Sequence, residues 1–156
     1  MRSSAKIADH PIPVLFGALT CVFGVIGVVF VPAGLVVLAG GLALVFWHRL
    51  RPPAVWSAVV AVAGAAAGTL GTLAVRTERL CCMFGWTEAR GWPYAWLSRG
   101  GTADTPGAAR ELAVADGWGP DLGHLVVDVA FWAYAGFLIV VVTSLTRRAW
   151  RRRSNR

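Results

Sequence analysis

PIPVLFGALTCVFGVIGVVFVPAGLVVLAGGLALVFW, residues 11–47, contains no Asp, Glu, Lys, Arg or His. A single helix crosses a bilayer with ~20 apolar residues, so this run is too long for one ordinary span. Val31-Pro32-Ala33-Gly34 divides it, because proline removes a backbone donor and glycine tolerates turn geometry. The expected result is a tight helical hairpin of residues 14–30 and 33–47. The second arm covers only ~22 Å at 1.5 Å per residue, so it needs a thinned bilayer, snorkelling flanks or longer neighbours.

Two further apolar stretches lie downstream: 52–75 has no charge, and 122–146 carries only His124 and Asp128. They predict spans at about 54–75 and 123–145. Between them runs a long polar loop, 76–122, and after them a tail, 147–156, that holds six arginines. The fold class expected is therefore all-α: one polytopic membrane domain with four transmembrane helices and one long extracytoplasmic loop. Composition agrees, since 156 residues that are 56% hydrophobic and 15% charged, with a mean hydropathy of +0.60, are too apolar for an ordinary soluble domain. The same numbers exclude disorder, and the length leaves no room for a separate catalytic module beside several spans.

Charge sets the orientation, because cytoplasmic flanks retain Lys and Arg. With the N-terminus inside, the inner segments hold ten basic residues against one acid, Asp9, whereas the loop holds five against six. Both termini are expected in the cytoplasm. A cleaved signal peptide ending near Ala33 is disfavoured, because the apolar run continues to Trp47 and Pro32 stands just before the cut. A lipoprotein site at Cys21 lacks the small residues it needs in Ala18-Leu19-Thr20. Arginine outnumbers lysine fourteen to one and Ala, Gly and Val abound, which suggests a GC-rich bacterial genome and so a bacterial plasma membrane.

The third span places Gly64 and Gly68 four residues apart, a small-xxx-small pattern that lets another backbone approach closely. Packing against the first hairpin and homodimerisation both use such a face. In the loop, aromatics are dense: Trp86, then Trp92, Pro93, Tyr94 and Trp96, and later Trp118. Tyr and Trp favour the headgroup layer and also dominate protein interfaces, so the loop reads as a surface lying on the membrane or docking a partner. Thr105-Pro106 through Gly117 reads as one short helix with Thr105 as N-cap, Pro106 in its first turn and Gly117 as its stop.

The run Arg90-Gly91-Trp92-Pro93-Tyr94-Ala95-Trp96-Leu97, followed by a polar linker, a span containing Phe131-Trp132 and a basic tail, resembles a group of small uncharacterised bacterial integral membrane proteins of actinobacterial type. They share a Gly-aromatic-Pro-x-x-aromatic-Leu signature. The resemblance implies a membrane location and brings no activity with it.

Cys81 and Cys82 invite comparison with the four-helix, quinone-linked disulfide oxidases, but those use Cys-x-x-Cys pairs and these two are adjacent. Two cysteines without a nearby histidine do not make a metal site. His124 and Asp128 lie one helical turn apart near the end of the last span, an intramembrane polar pair that serves either a proton or ion relay or a structural bond to each other, Arg76 or Arg79. Hydrolase, zinc-protease and phosphate-loop signatures are missing. The tail arginines suit anionic lipid headgroups, and their short juxtamembrane cluster argues against nucleic acid. The function expected is a non-enzymatic accessory or interaction subunit that works through its Trp-rich loop without cofactor or metal, with the lipid bilayer, a membrane-protein partner or a second copy as partners. A small oligomeric transporter or channel subunit with Asp128 in its pathway comes second, and a thiol-redox enzyme using Cys81 and Cys82 third.

Overall fold

The computed structural model describes residues 11–81 and 84–154. The chain divides into two compact units, one of helices up to Ala65 and from Phe131 onward, and one from Ala66 to Ala130 that contains a β-sheet.

In the first unit α1 (Pro11–Phe30) and α2 (Gly34–Val45) form the expected hairpin. Val31 N–H still donates to Gly27 O at 2.9 Å, and Gly34 N–H then turns back to Val31 O at 2.9 Å. The two helices touch through backbone. A Cβ on Gly24 would lie 2.6 Å from Leu38 Cα, one on Gly17 2.9 Å from Gly41 O, and Gly27 faces Gly34 at 3.4 Å. Glycine is therefore what permits the pairing, and the pairing sets the register. Val45 lies level with Gly17.

After Phe46 (φ −90°, ψ 15°) the chain continues as the short helix α3 (Trp47–Leu50), which ends on Arg51 in the left-handed region (φ 42°). The carbonyls exposed there are capped: Arg148 donates to Leu50 O at 2.6 Å and to Arg51 O at 2.7 Å, with its cation at the negative end of the helix.

α4 (Ala54–Gly71), continued by a 3-10 turn at Thr72–Ala74, and α6 (Leu122–Ser154) complete the long helices. Gly64 meets the carbonyl of Trp132, and Gly136 meets that of Val60, where an added Cβ would come within 2.5 Å. The small face of α4 thus packs on α6, and the expectation that Gly64 faces the first hairpin is corrected. Gly68, one turn further along, is half-buried. α6 reaches the hairpin through Tyr134, whose ring covers Gly40 and whose hydroxyl lies 2.8 Å from Thr20 Oγ1. Thr20 gives its own proton to Phe16 O, so Tyr134 is the donor in that pair. Ala43, Phe137 and Val141 are the core of this unit, and Trp47 stacks on Phe137.

Outward the helices are apolar. Leu15, Val55 and Val62 on α1 and α4 are each more than two-thirds exposed, the reverse of a water-facing surface. Three helices, α1, α4 with its 3-10 extension, and α6, are long and apolar enough to cross a membrane. α2 is shorter than the expected 33–47 and alone does not meet that length. α6 is longer than the expected 123–145, because Arg147 to Arg153 carry good helix propensity and the helix has no stop signal before Ser154.

The second unit corrects the all-α expectation. The polar segment forms a four-stranded antiparallel sheet in the order β1-β2-β3-β4, with β1 (Arg76–Cys81), β2 (Gly85–Arg90), β3 (Leu97–Thr102) and the two-residue β4 (Gly119–Pro120). Glu88 stands opposite Glu78 on one side and Arg99 on the other. α5 (Pro106–Asp116) is the short helix read from Thr105 and Gly117: Ala108 N–H donates to Thr105 Oγ1 at 3.3 Å and Gly117 takes φ 84°. It lies against β3 because Gly101 has no side chain; a Cβ there would stand 2.4 Å from Ala109 O. Ala109, Ala113 and Trp86 form this unit's core.

Candidate functional site

Trp86, Glu88 and Arg90 alternate along β2 and so share one face of the sheet. Arg99 joins them from the facing position on β3, and Arg76 from β1. Glu88, without accessible surface, receives all three guanidinium groups: Arg76 Nε at 2.6 Å, Arg99 at 2.5 and 2.8 Å through two nitrogens, and Arg90 at 3.5 Å. Arg76 is also paired with Glu78. Burial pushes the Glu88 carboxyl up, but the hydrogen bonds and charges of Arg99, Arg76 and Arg90 outweigh it and hold the group below the usual carboxylate range.

Indole rings cover the cations. The guanidinium of Arg99 lies 4.5 Å and that of Arg90 4.9 Å from the ring centre of Trp118, while Arg99 and Arg110 each approach Trp86 at 5.8 Å. Four arginines thus stand near two glutamates, three of them on the sheet and bonded to Glu88 and the fourth, Arg110, on α5.

The residues marked in the loop separate on this frame. Trp86, expected at a docking surface, is buried beneath α5, because it points to the inner face of β2. Gly91 to Trp96 of the signature form the β2–β3 connection, and its Leu97 opens β3. Gly91 takes φ 116°, and a Cβ there would meet Tyr94 O and Trp96 Cδ1 at 2.9 Å; Trp96 N–H closes the turn on Arg90 O at 3.2 Å. Trp92 is half exposed, Pro93, Tyr94 and Trp96 are partly buried, and the Tyr94 ring stacks on His124 with centroids 6.1 Å apart.

The expected polar pair does not form. His124 Nδ1 lies 3.1 Å from Asp121, the residue that caps the start of α6 by accepting from His124 N–H at 3.0 Å. Arg76 is engaged by the glutamates of the sheet. Asp128 is completely buried; the Tyr94 backbone N–H and the Thr69 hydroxyl face it, neither in hydrogen-bonding geometry. Cys81 ends β1 at the surface, while Cys82 lies outside the described residues, and Cys21 is partly buried in α1. Among the described residues no group of three His, Cys, Asp or Glu gathers as a metal-ligand set.

The cluster around Glu88 was missed in the sequence, although Trp86-x-Glu88-x-Arg90 has the period of two that puts residues on one strand face. No protein-family model, curated protein or solved structure matches the chain.

Proposed function

We propose that this chain is a multi-pass protein of a bacterial plasma membrane that holds a small folded sheet outside the membrane to engage another membrane protein, without catalysing a reaction. The observation that carries the reading is the open edge of the sheet. Among the described residues β2 is the one strand bonded to β1, so β1 stands at the edge of the sheet, and all six of its residues are exposed, with Leu80 and Phe84 adding apolar surface at the hairpin end. An open edge offers main-chain donors and acceptors to a partner strand, and the bonded arginine cluster behind it keeps that edge in one shape, which lowers the ordering cost of binding.

Four crossings with both termini in the cytoplasm belong to the same reading. α2 alone is short, but α3 follows it after Phe46, so the two helical segments together run from Gly34 to Leu50, and Val45 lies level with Gly17 of α1. Where α1 crosses, the α2–α3 arm follows it almost to the same depth. The basic end of α6 then lies inside, in keeping with the retention of arginine there. The grouping with small bacterial membrane proteins of the Gly-aromatic-Pro-x-x-aromatic-Leu type fits this reading.

The experiment is photo-crosslinking in native membranes with a photoreactive residue at Arg79 in β1, or at Glu111 in α5 as comparison. The expected outcome is a discrete heavier adduct from position 79 and none from 111. An adduct of twice the chain's mass identifies the partner as a second copy. Lipid adducts alone at position 79 contradict the docking reading and leave the sheet lying on the bilayer surface. A second reading, an ion-handling subunit, rests on the buried and unpartnered Asp128 beside Thr69; it requires a flux in proteoliposomes that Asp128→Asn abolishes.

A further inference from the structure

A cavity of about 580 Å³ opens between the start of α4 and the arginine-rich end of α6. Its walls are Trp56 and Val60 from one helix and Ile139 and Val140 from the other, and Arg147 and Arg151 line its far end. We infer that this groove binds one anionic phospholipid, with an acyl chain along the apolar walls and the headgroup phosphate between Arg147 and Arg151. The inference rests on the reading above that α4 and α6 cross a bilayer, and it assigns to two particular arginines what the sequence assigned to the tail at large.

Several features favour that occupant. Of the three arginines in the lining, Arg148 is committed to the carbonyls of Leu50 and Arg51. Among the described residues no acid pairs with Arg147 or Arg151, and they stand one helical turn apart on α6, on the same side. Thr143 and Ser144 give their hydroxyl protons to Ile139 O and Val141 O at 2.6 and 2.8 Å, so the two guanidinium groups supply the donors that remain. Guanidinium matches phosphate geometry through paired N–H groups. A soluble anion would leave the apolar length of the groove unfilled, whereas a lipid fills both halves, and basic pockets between membrane helices take such headgroups.

The test is native mass spectrometry of the full chain in mild detergent, with phosphatidylglycerol and phosphatidylcholine added in equal amounts. The expected result is retention of one phosphatidylglycerol, lost by roughly 30-fold in the double variant Arg147→Gln/Arg151→Gln. Arg152→Gln/Arg153→Gln removes the same charge from the same end of α6 at positions that do not line the groove, and is expected to retain the lipid within about threefold. Equal loss in both variants, or no preference in the native chain, overturns the site. Displacement of the lipid by millimolar inorganic phosphate also overturns it, because a free anion would then be the ligand. Membrane flotation of the same chain separates this from the reading beneath it: a chain that stays out of the membrane fails that reading, and a membrane-bound chain without lipid preference fails only this one.

Discussion

Glu88→Gln is expected to unfold the sheet unit at a distinctly lower urea concentration than the native chain while leaving the helices intact. Glutamine keeps the shape and removes the one charge on which Arg76, Arg90 and Arg99 converge. Removing one partner of a buried ion pair leaves the others uncompensated, at a cost of ~3–5 kcal/mol in a deep interior. Here Arg76 and Arg90 reach solvent, which screens their repulsion, so about 1–3 kcal/mol is the expected loss. That is a large fraction of what a unit of this size possesses. Glu78→Gln is the control: its carboxylate is exposed and its partner among the described residues is Arg76, so its effect should be small.

The sign of the pH dependence follows from the same bonds. Glu88 titrates below its ordinary value of 4.5 when folded, so its stabilisation is complete above that value. It is lost as pH falls through the lower folded value. The gap between the native chain and Glu88→Gln, read by tryptophan fluorescence during urea unfolding, should therefore be full near neutral pH and close as the solution is acidified below the ordinary value. A gap that is independent of pH, or a Glu78→Gln effect as large as that of Glu88→Gln, contradicts the assignment.

Gly24→Val is expected to open the α1–α2 hairpin. The Cβ alone would stand 2.6 Å from both Leu38 Cα and Leu38 N, and backbone cannot move aside as a side-chain tip can. Overpacking of this kind costs ~1–3 kcal/mol, occasionally more, and a β-branched residue stiffens the helix further. The same face includes Gly17 and Gly27, so the separation should spread along the pair. Gly71→Ala provides the comparison, because nothing lies within 4 Å of the added Cβ and helix propensity rises. Thermal unfolding in detergent should place Gly24→Val well below the native chain and Gly71→Ala level with it or above; equal midpoints would contradict the close pairing.

The hairpin and α5 were legible in the sequence because each depends on local chemistry. Pro32 and Gly34 break one continuous apolar run, and Thr105, Pro106 and Gly117 mark the two ends of a helix. The sheet was not legible, for a physical reason. Its inner face is built from Trp86, Glu88, Arg90 and Arg99, so burial there does not follow hydrophobicity and the apolar alternation that announces a strand is absent. Long-range ion pairing replaces it, and Glu88 and Arg99 are brought together only by the register of β2 on β3. For the same reason Trp86 looked like a surface aromatic until the strand turned it inward. His124 and Asp128 do share a helix face as their spacing implies, but His124 bonds Asp121 and stacks on Tyr94, while Asp128 faces Thr69 and the Tyr94 backbone without a hydrogen bond.

The sheet unit is proposed to stand outside the membrane between two crossings, with both chain ends inside. Reporter fusions in a bacterial host measure this directly, with a fluorescent protein that matures only in the cytoplasm at either terminus and a phosphatase active only outside inserted at Gly107, where the helix surface is open. Fluorescence from both terminal fusions and phosphatase activity from the insertion are the expected result. A dark N-terminal fusion beside a bright C-terminal one would show that the hairpin crosses only once, and a silent phosphatase would place the sheet on the wrong side for the partner proposed.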